Sequence, residues 1–265
     1  MNSVHFTSNA DEHAVVIARV AESRWHAVED DRVVGRGDTS RRPDGRIFLS
    51  VDAWHGAVFD RLADAMLADL PRPLYTVVDE ADPDVTSYWE RAGFTTRRRE
   101  WEYLVPTDPR ITGLGSAPPP PDVTTVAAGE AEEGPLRTLD RVIRDEVEAG
   151  VGWQEMPAEL LPHLDGATLR DPSKYAVAAQ SGEYVGLVRV VRVTRRPRIG
   201  LIAVRSDRHR RGIARALLAH ALGSLHHDGI ETASAEVTES NQAATALFEG
   251  VGARRASSNL ELVLR

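Results

Sequence analysis

The stretch Ile199-Gly-Leu-Ile-Ala-Val-Arg-Ser-Asp-Arg-His-Arg-Arg-Gly-Ile-Ala-Arg215 decides how this chain is read. Ile199 to Val204 has the apolar character of a strand, and Arg205 to Arg211 is a basic loop. From Gly212 to about His227, Ala214, Leu217, Leu218, Ala221 and Leu225 recur at helical spacing, and Gly229 ends the run. A strand that passes through a basic, glycine-bearing loop into a helix builds an anion site. The first helical N–H groups have no partners within the helix, and the helix dipole adds positive charge there. Gly212 lets the backbone approach a phosphate, Ala214 is too small to obstruct it, and Arg210, Arg211 and Arg215 add charge. The spacing is neither that of a P-loop nor G-x-G-x-x-G. The competing reading of an isolated basic run is a solvated turn.

Working outward, Val123 to Val126 reads as a strand and Gly134-Pro135 opens a helix with a stripe of Leu136, Leu139, Ile143 and Val147. A short helix is expected near Ala158 to Leu164, with Trp153 as a pocket wall or a packed core residue. Tyr175 to Ala179 and Tyr184 to Val190 are strands joined by a Ser181-Gly182 turn. Thr232 to Val237 is a strand, Ser240 and Asn241 lead a helix ended by Gly252, and Asn259 to Leu264 closes the sheet. The order is that of a mixed α/β (α+β) sheet with a strand–helix–strand unit at its centre.

His209-Arg-Arg-Gly-Ile-Ala214, Glu236-Val237, Asn241-Gln-Ala-Ala244, Leu247-Phe-Glu249 and Gly252 together resemble, in order, the signatures of the GCN5-related N-acetyltransferase (GNAT) family. The resemblance covers residues 123–265 well and residues 1–105 weakly. It implies acetyl-CoA as acyl donor and an amine as acceptor. It further implies that Ile202, Ala203 and Val204 form a splayed strand edge along the pantetheine, with an N–H near Val204 for the thioester oxygen. His209, Arg210, Arg211, Gly212, Ile213, Ala214 and Arg215 would cradle the pyrophosphate, and Asn241 would meet the pantetheine arm or cap its helix. The family's loop reads R/Q-x-x-G-x-G/A, and this chain departs from it with His209 at the first position. Ribosomal-protein alanine acetyltransferases carry a similar L-E-V-x-x-x-N segment, which makes Glu236 the candidate general base. Strand alternation puts Ala233, Ala235 and Val237 on one face and Ser234 and Glu236 on the other. The family's tyrosine acid falls on Phe248, whose ring donates no proton, leaving water, Tyr175, Tyr184 or Ser240 for that role.

Tyr88-Trp-Glu-Arg-Ala-Gly-Phe94 matches Leu247-Phe-Glu-Gly-Val-Gly-Ala253 at an offset of 159 residues (247 − 88), which also sets Glu102 on Glu261. Val34-Gly35 and Ile47 to Val51 find counterparts at Val185-Gly186 and the strand ending at Val204. The expectation is two tandem GNAT-like domains, each a mixed, mostly antiparallel sheet flanked by helices. A degenerate copy spans residues 1–106, a Pro/Gly-rich linker 107–122, and the transferase domain 123–265. Asp52-Ala-Trp-His-Gly-Ala57 replaces the basic loop in the first copy, which is therefore not expected to bind the cofactor. Arg97-Arg-Arg99 reads as an exposed strand face or turn.

The chain has 265 residues, 42% hydrophobic and 27% charged, the balance of a globular protein. With no cysteine, disulfides and thiolate metal sites are excluded, and no metal is expected. His220, His226, His227 and Asp228 read as helix-end partners. No apolar run spans a membrane, and the polar start Met1 to His13 is unlike a signal peptide, so a cytoplasmic location is expected. The net charge of −8 argues against nucleic acid as a partner and accommodates a small-molecule or peptide amine. The first copy reads as an acceptor-recognition or dimerisation surface, which places a homodimer among the expected assemblies. The competing function is a weak or inactive acyl-CoA-binding or regulatory module.

Overall fold

A computed structural model describes residues 15–115, 120–150, 152, 156, 169, 171–192 and 196–265. The expected helix near 158–164 and Trp153 lie outside the described residues. The chain begins with a four-strand meander, β1 (Val16–Ala21), β2 (Arg24–Glu29), β3 (Arg32–Arg41) and β4 (Ile47–Ala53). Helix α1 (Gly56–Asp69), strand β5 (Leu74–Asp79), helix α2 (Pro83–Arg91) and strand β6 (Thr95–Pro106) follow. Asp82 caps α2 by accepting from the Val85 N–H, with Pro83 at the first helical position, where a missing N–H costs nothing. After the short helix α3 (Pro109–Thr112) come β7 (Val123–Val126), α4 (Glu133–Gly150), β8 (Tyr175–Gln180), β9 (Glu183–Val191) and β10 (Arg198–Val204). The chain closes with α5 (Ile213–His227), β11 (Thr232–Thr238), α6 (Gln242–Glu249) and β12 (Arg254–Leu264). Ser181 and Gly182 both adopt positive φ in the β8–β9 turn, as a two-residue hairpin of the right twist requires.

Two separate sheets were expected; the strands instead form one sheet in the order β1-β2-β3-β4-β5-β12-β6-β11-β10-β9-β8-β7. Pairing is antiparallel except for β4–β5 and β10–β11. β12 was expected to close the sheet of the second half; it lies between β5 and β6, both from the first half. β6 in turn pairs with β11 of the second half, so the two halves exchange their closing strands. Burial accounts for this placement. Leu260, Leu262 and Leu264 pack with Phe59, Leu62, Met66 and Trp89 beneath α1 and α2. Tyr103 and Val105 of β6 join Leu217, Leu218, Leu222 and Phe248 beneath α5 and α6. On the opposite face, Leu136, Leu139 and Ile143 of α4 cover Tyr175, Val177 and Leu187.

The 107–122 stretch was expected as a spacer, and its described part is packed. The Thr107 N–H donates to the Glu231 carbonyl at 3.1 Å, and Leu114 is buried in the core beneath α5. Residues 116–119 lie outside the described residues.

Candidate active site

The site begins where β10 and β11 part. These parallel strands pair only at Arg198 with Ser234 and Ile199 with Ala235. Beyond that point β10 stays with β9 as far as Val204, and β11 stays with β6 as far as Thr238. A register shift between Ile199 and Leu201 turns β10 away, as a bulge does. The Arg205 N–H donates to the Val185 carbonyl at 2.9 Å. Antiparallel amides alternate in direction, so those of Ile202 and Val204 face away from β9, into the split.

The loop after β10 is shaped by backbone. A 3-10 turn, Ser206–Arg208, leads to Arg210 at φ 60° and Gly212 at φ 80°, both left-handed. Gly212 is the N-cap of α5, and no side chain among the described residues caps the helix. The first backbone bond of the helix runs from the Ala216 N–H to the Gly212 carbonyl at 3.0 Å. The amides of Ile213, Ala214 and Arg215 therefore lack helical acceptors and carry the positive end of the dipole. Successive left-handed and extended residues also turn amides toward a common point, an anion-binding concavity.

The split and this loop enclose a cleft of about 850 Å³. Ile202, Ala203 and Val204 line one side, His209, Arg210, Gly212, Ile213, Ala214 and Arg215 the loop end, and Asn241 and Leu247 the α6 side. Arg211 turns instead to an adjoining hollow of about 510 Å³, with Pro120, Pro121, Arg215 and His220. The His209 Nε2–H donates to the Val204 carbonyl at 2.7 Å, so this histidine pins the loop to the strand end. Asn241 accepts from the Ala244 N–H at 3.0 Å, so it caps α6 while lining the cleft. Sequence reasoning missed Glu146 of α4, which accepts from the Ser206 N–H at 2.9 Å and from its hydroxyl at 2.8 Å. A contact across 60 residues leaves no local signal; the buried stripe of α4 only fixes which face carries Glu146.

Glu236 stands one residue past the last β10–β11 pair, at the root of the split rather than on the cleft wall. It is exposed and Ala233, Ala235 and Val237 are buried, as alternation expects, whereas Ser234, placed on the same face as Glu236, is buried where β10 still pairs with β11. Arg198 pairs with it at 3.0 Å, and Glu102 of β6 lies directly across the strand pair. Phe248 is 3% exposed and stacks on Tyr103 at 6.1 Å between ring centroids, so it is a core residue. Tyr175 is buried beneath α4, and the Tyr184 hydroxyl accepts from the Glu132 N–H at 3.0 Å; neither lines the cleft.

The start of α1 in the first half is built differently. Its N-cap His55 makes no capping bond, and a Cβ on Gly56 would stand 3.0 Å from the Tyr88 hydroxyl. Tyr88 fills the position whose counterpart by the 159-residue offset, Leu247, lines the cleft.

This fold, with its parted parallel strands and its uncapped helix over a cleft, is similar to that of solved GNAT acetyltransferase structures. Residues 139–253 match the model of the acetyltransferase (GNAT) family. The [ribosomal protein bS18]-alanine N-acetyltransferase of Escherichia coli K12 is 45% identical over 56 residues, 21% of this chain and 38% of that enzyme. The chain thus matches well under half the length of this curated relative. Among solved structures, a GCN5-related N-acetyltransferase from Sphaerobacter thermophilus superposes with a TM-score of 0.63 at 17% identity, over 93% of this chain and 82% of that one. A tandem GNAT protein from the clavulanic acid biosynthesis pathway gives a TM-score of 0.63 at 15% identity, over 91% and 82%. At those identities the likeness is one of fold.

Proposed function

We propose that the protein is an acetyl-CoA-dependent N-acetyltransferase that acts on a primary amine, with acyl transfer by direct attack on the thioester. The observation that carries this reading is the cleft at the β10–β11 split, where inward-facing amides meet an uncapped, arginine-rich helix start. The pyrophosphate would take the amides of residues 212–215 and the charge of Arg210 and Arg215, with Arg211 on the nucleotide side. The Val204 N–H would hold the thioester oxygen as it gains negative charge. Glu236 is the proposed general base, acting directly or through water, and Arg198 fixes its position. The acceptor class carries over from the N-terminal amine of the bacterial relative only as a type of nucleophile.

Element order supports a duplicated fold, the first copy being degenerate. Each half runs strand, strand, helix, strand, helix, strand from β3 to β6 and from β9 to β12. The 159-residue offset carries the β6–β12 pair Glu102 and Ser257 onto the pair Glu261 and Arg98. The boundaries at 106 and 123 follow from that reading.

Calorimetric titration with acetyl-CoA, followed by turnover on an amine panel, tests the assignment. Glu236→Gln should bind the donor as the native chain does and lose at least tenfold in kcat. Full turnover by Glu236→Gln would remove the base assignment, and absence of coenzyme A affinity would remove the reading itself. Burial of Phe248 favours a second reading, an acyl-CoA-binding module, which donor binding without turnover on any amine would establish.

A further inference from the structure

Among the described residues, one carboxylate lines the cleft at the β10–β11 split, that of Glu146. Arg208, Arg210 and Arg215 line it too, yet among the described residues Glu146 forms an ion pair with none of them. Both of its oxygens go to one residue of the loop. Oε2 accepts from the Ser206 N–H at 2.9 Å, and Oε1 accepts from the Ser206 hydroxyl at 2.8 Å. An ionised acceptor makes these bonds stronger than neutral ones. A carboxylate beside an anion site repels the anion, so the charge of Glu146 alone would weaken the cleft. What it contributes there is the pair of bonds to Ser206.

Glu146 stands three residues after Ile143 on α4, so the buried stripe that seats the helix also turns Glu146 toward the sheet. α4 packs on the face of the sheet opposite α5 and α6, and Glu146 meets the loop where β10 ends at Val204. Ser206 opens the 3-10 turn Ser206–Arg208, whose first N–H has no acceptor within the turn. Glu146 supplies that acceptor. The turn then closes on itself, with the Arg208 N–H donating to the Arg205 carbonyl at 2.9 Å and the His209 N–H to the Ser206 carbonyl at 3.2 Å. Asp207 lies 3.2 Å from Arg205 and 3.7 Å from Arg208. Arg205 is anchored separately, by its N–H to the Val185 carbonyl and by its guanidinium to Glu183 at 3.4 Å. Among the described residues, only the bonds from Glu146 reach residues 206–211 from outside residues 204–212.

We infer that Glu146 is a positioning residue: from α4 it fixes the turn whose exit at Gly212 aims the amides of residues 213–215 at a diphosphate. The exit runs through Arg210 at φ 60° and Gly212 at φ 80°. A left-handed arginine is costly and persists only where its surroundings over-determine it. Ahead of it, the loop is held by Glu146 at Ser206 and by the His209 ring on the Val204 carbonyl at 2.7 Å. A loop already fixed in its binding shape has less order to lose when a ligand arrives. The clamp stands on this chain's own geometry, whereas the diphosphate rests on the transferase reading above.

Calorimetric titration with acetyl-CoA and amide hydrogen exchange without ligand test the two parts. Glu146→Ala should raise the Kd for acetyl-CoA about tenfold. Glu146→Gln keeps an acceptor for the Ser206 N–H and should return the Kd to within about threefold of native. A role through charge alone predicts the opposite sign, with both variants binding the donor more tightly. Ser206→Ala removes one of the bonds and should weaken binding less than Glu146→Ala does. Added to Glu146→Ala it should change nothing further, because the hydroxyl has already lost its partner. In the ligand-free chain, Glu146→Ala should speed amide exchange across residues 206–212 and leave the middle of α5 protected. Native or tighter affinity in Glu146→Ala, equal weakening by alanine and glutamine, full additivity with Ser206→Ala, or unchanged exchange across 206–212 each overturns the clamp. A native chain without affinity for coenzyme A counts against the transferase reading, and the exchange result then decides the clamp.

Discussion

Gly212→Ala isolates the role of backbone shape in the cleft. Gly212 sits at φ 80°, and a Cβ there would meet only the Pro120 side chain, at 3.4 Å, which is ordinary van der Waals contact. The substitution therefore acts through conformation rather than through a clash. Holding an alanine in the left-handed region costs about 1–2 kcal/mol. If the loop keeps its shape, that cost appears as lost stability, a fall in Tm of about 2–8 °C for a chain of this size. If the loop relaxes, the amides of 213–215 leave their common direction, and a loss of about 1.4 kcal/mol in coenzyme A binding reads as a tenfold rise in Kd. Gly182→Ala is the matched control. It has φ 82°, an added methyl there would meet nothing within 4 Å, and it lies in the β8–β9 turn, off the cleft. Both variants should lose comparable stability in urea titrations, and calorimetry should show a weaker Kd for Gly212→Ala alone. Native affinity in a destabilised Gly212→Ala, or equal loss in Gly182→Ala, refutes the amide-cradle argument.

Glu261→Gln leaves Arg42, Arg46, Arg97 and Arg98 without their shared counter-charge in a largely buried setting, and should cost about 3–5 kcal/mol by urea denaturation. Glu100 has a carboxyl raised above the ordinary 4.5, first by burial and then by Glu236 and Glu261, against the opposing pull of Arg98 and Arg42. A raised folded value means its stabilising contribution is complete below about pH 4.5 and is lost as pH climbs through the raised value. Glu100→Gln, which resembles the protonated acid, should therefore gain stability relative to the native chain as pH rises from 4 to 7, measured by urea midpoints at each pH. Asn241→Asp should keep the cap on α6 and Asn241→Ala should lose about 1 kcal/mol of stability, while both weaken coenzyme A binding through loss of the carboxamide NH₂.

The cleft is legible in sequence because its requirements are local. A strand, a left-handed glycine and an amphipathic helix occupy consecutive positions, so Ile199 to Arg215 states them in order. The Asn241 cap and the exposure of Glu236 are legible for the same reason, through an N-cap position and strand alternation, whereas the place of Glu236 at the root of the split is not. Arg98 is not. Its neighbours in sequence make it part of an exposed face, yet it is buried because Glu261, 163 residues away in sequence, stands across from it in β12. The basic run assigns Arg211 to the pyrophosphate loop, yet with Arg210 and Gly212 both left-handed its side chain faces the adjoining hollow. The exchange of closing strands has no local signature either. Alternating Leu260, Leu262 and Leu264 would bury against either half, and only the fit against Trp89 and Phe59 selects one.

That exchange bears on how the halves work together. β6 supplies Glu102 beside Glu236 from one half and Tyr103 beneath Phe248 of the other. The Tyr103 hydroxyl donates to Glu249 at 3.0 Å and accepts from Arg255 Nε at 2.9 Å, so one strand of the first half is tied to both α6 and β12. Arg99, on the same strand, pairs with Glu80 at 2.6 Å in the first half and Glu239 at 3.0 Å in the second. A first half that only filled space would not need its last strand inside the partner's sheet. Its placement makes β11, and with it Glu236, depend on β6 for a neighbour, because the parting of β10 leaves that edge of β11 unpaired past Ala235. The first half thus holds the strand of the proposed base in register, and substitutions in β6 should act on the proposed acyl transfer through Glu236 rather than through the cleft.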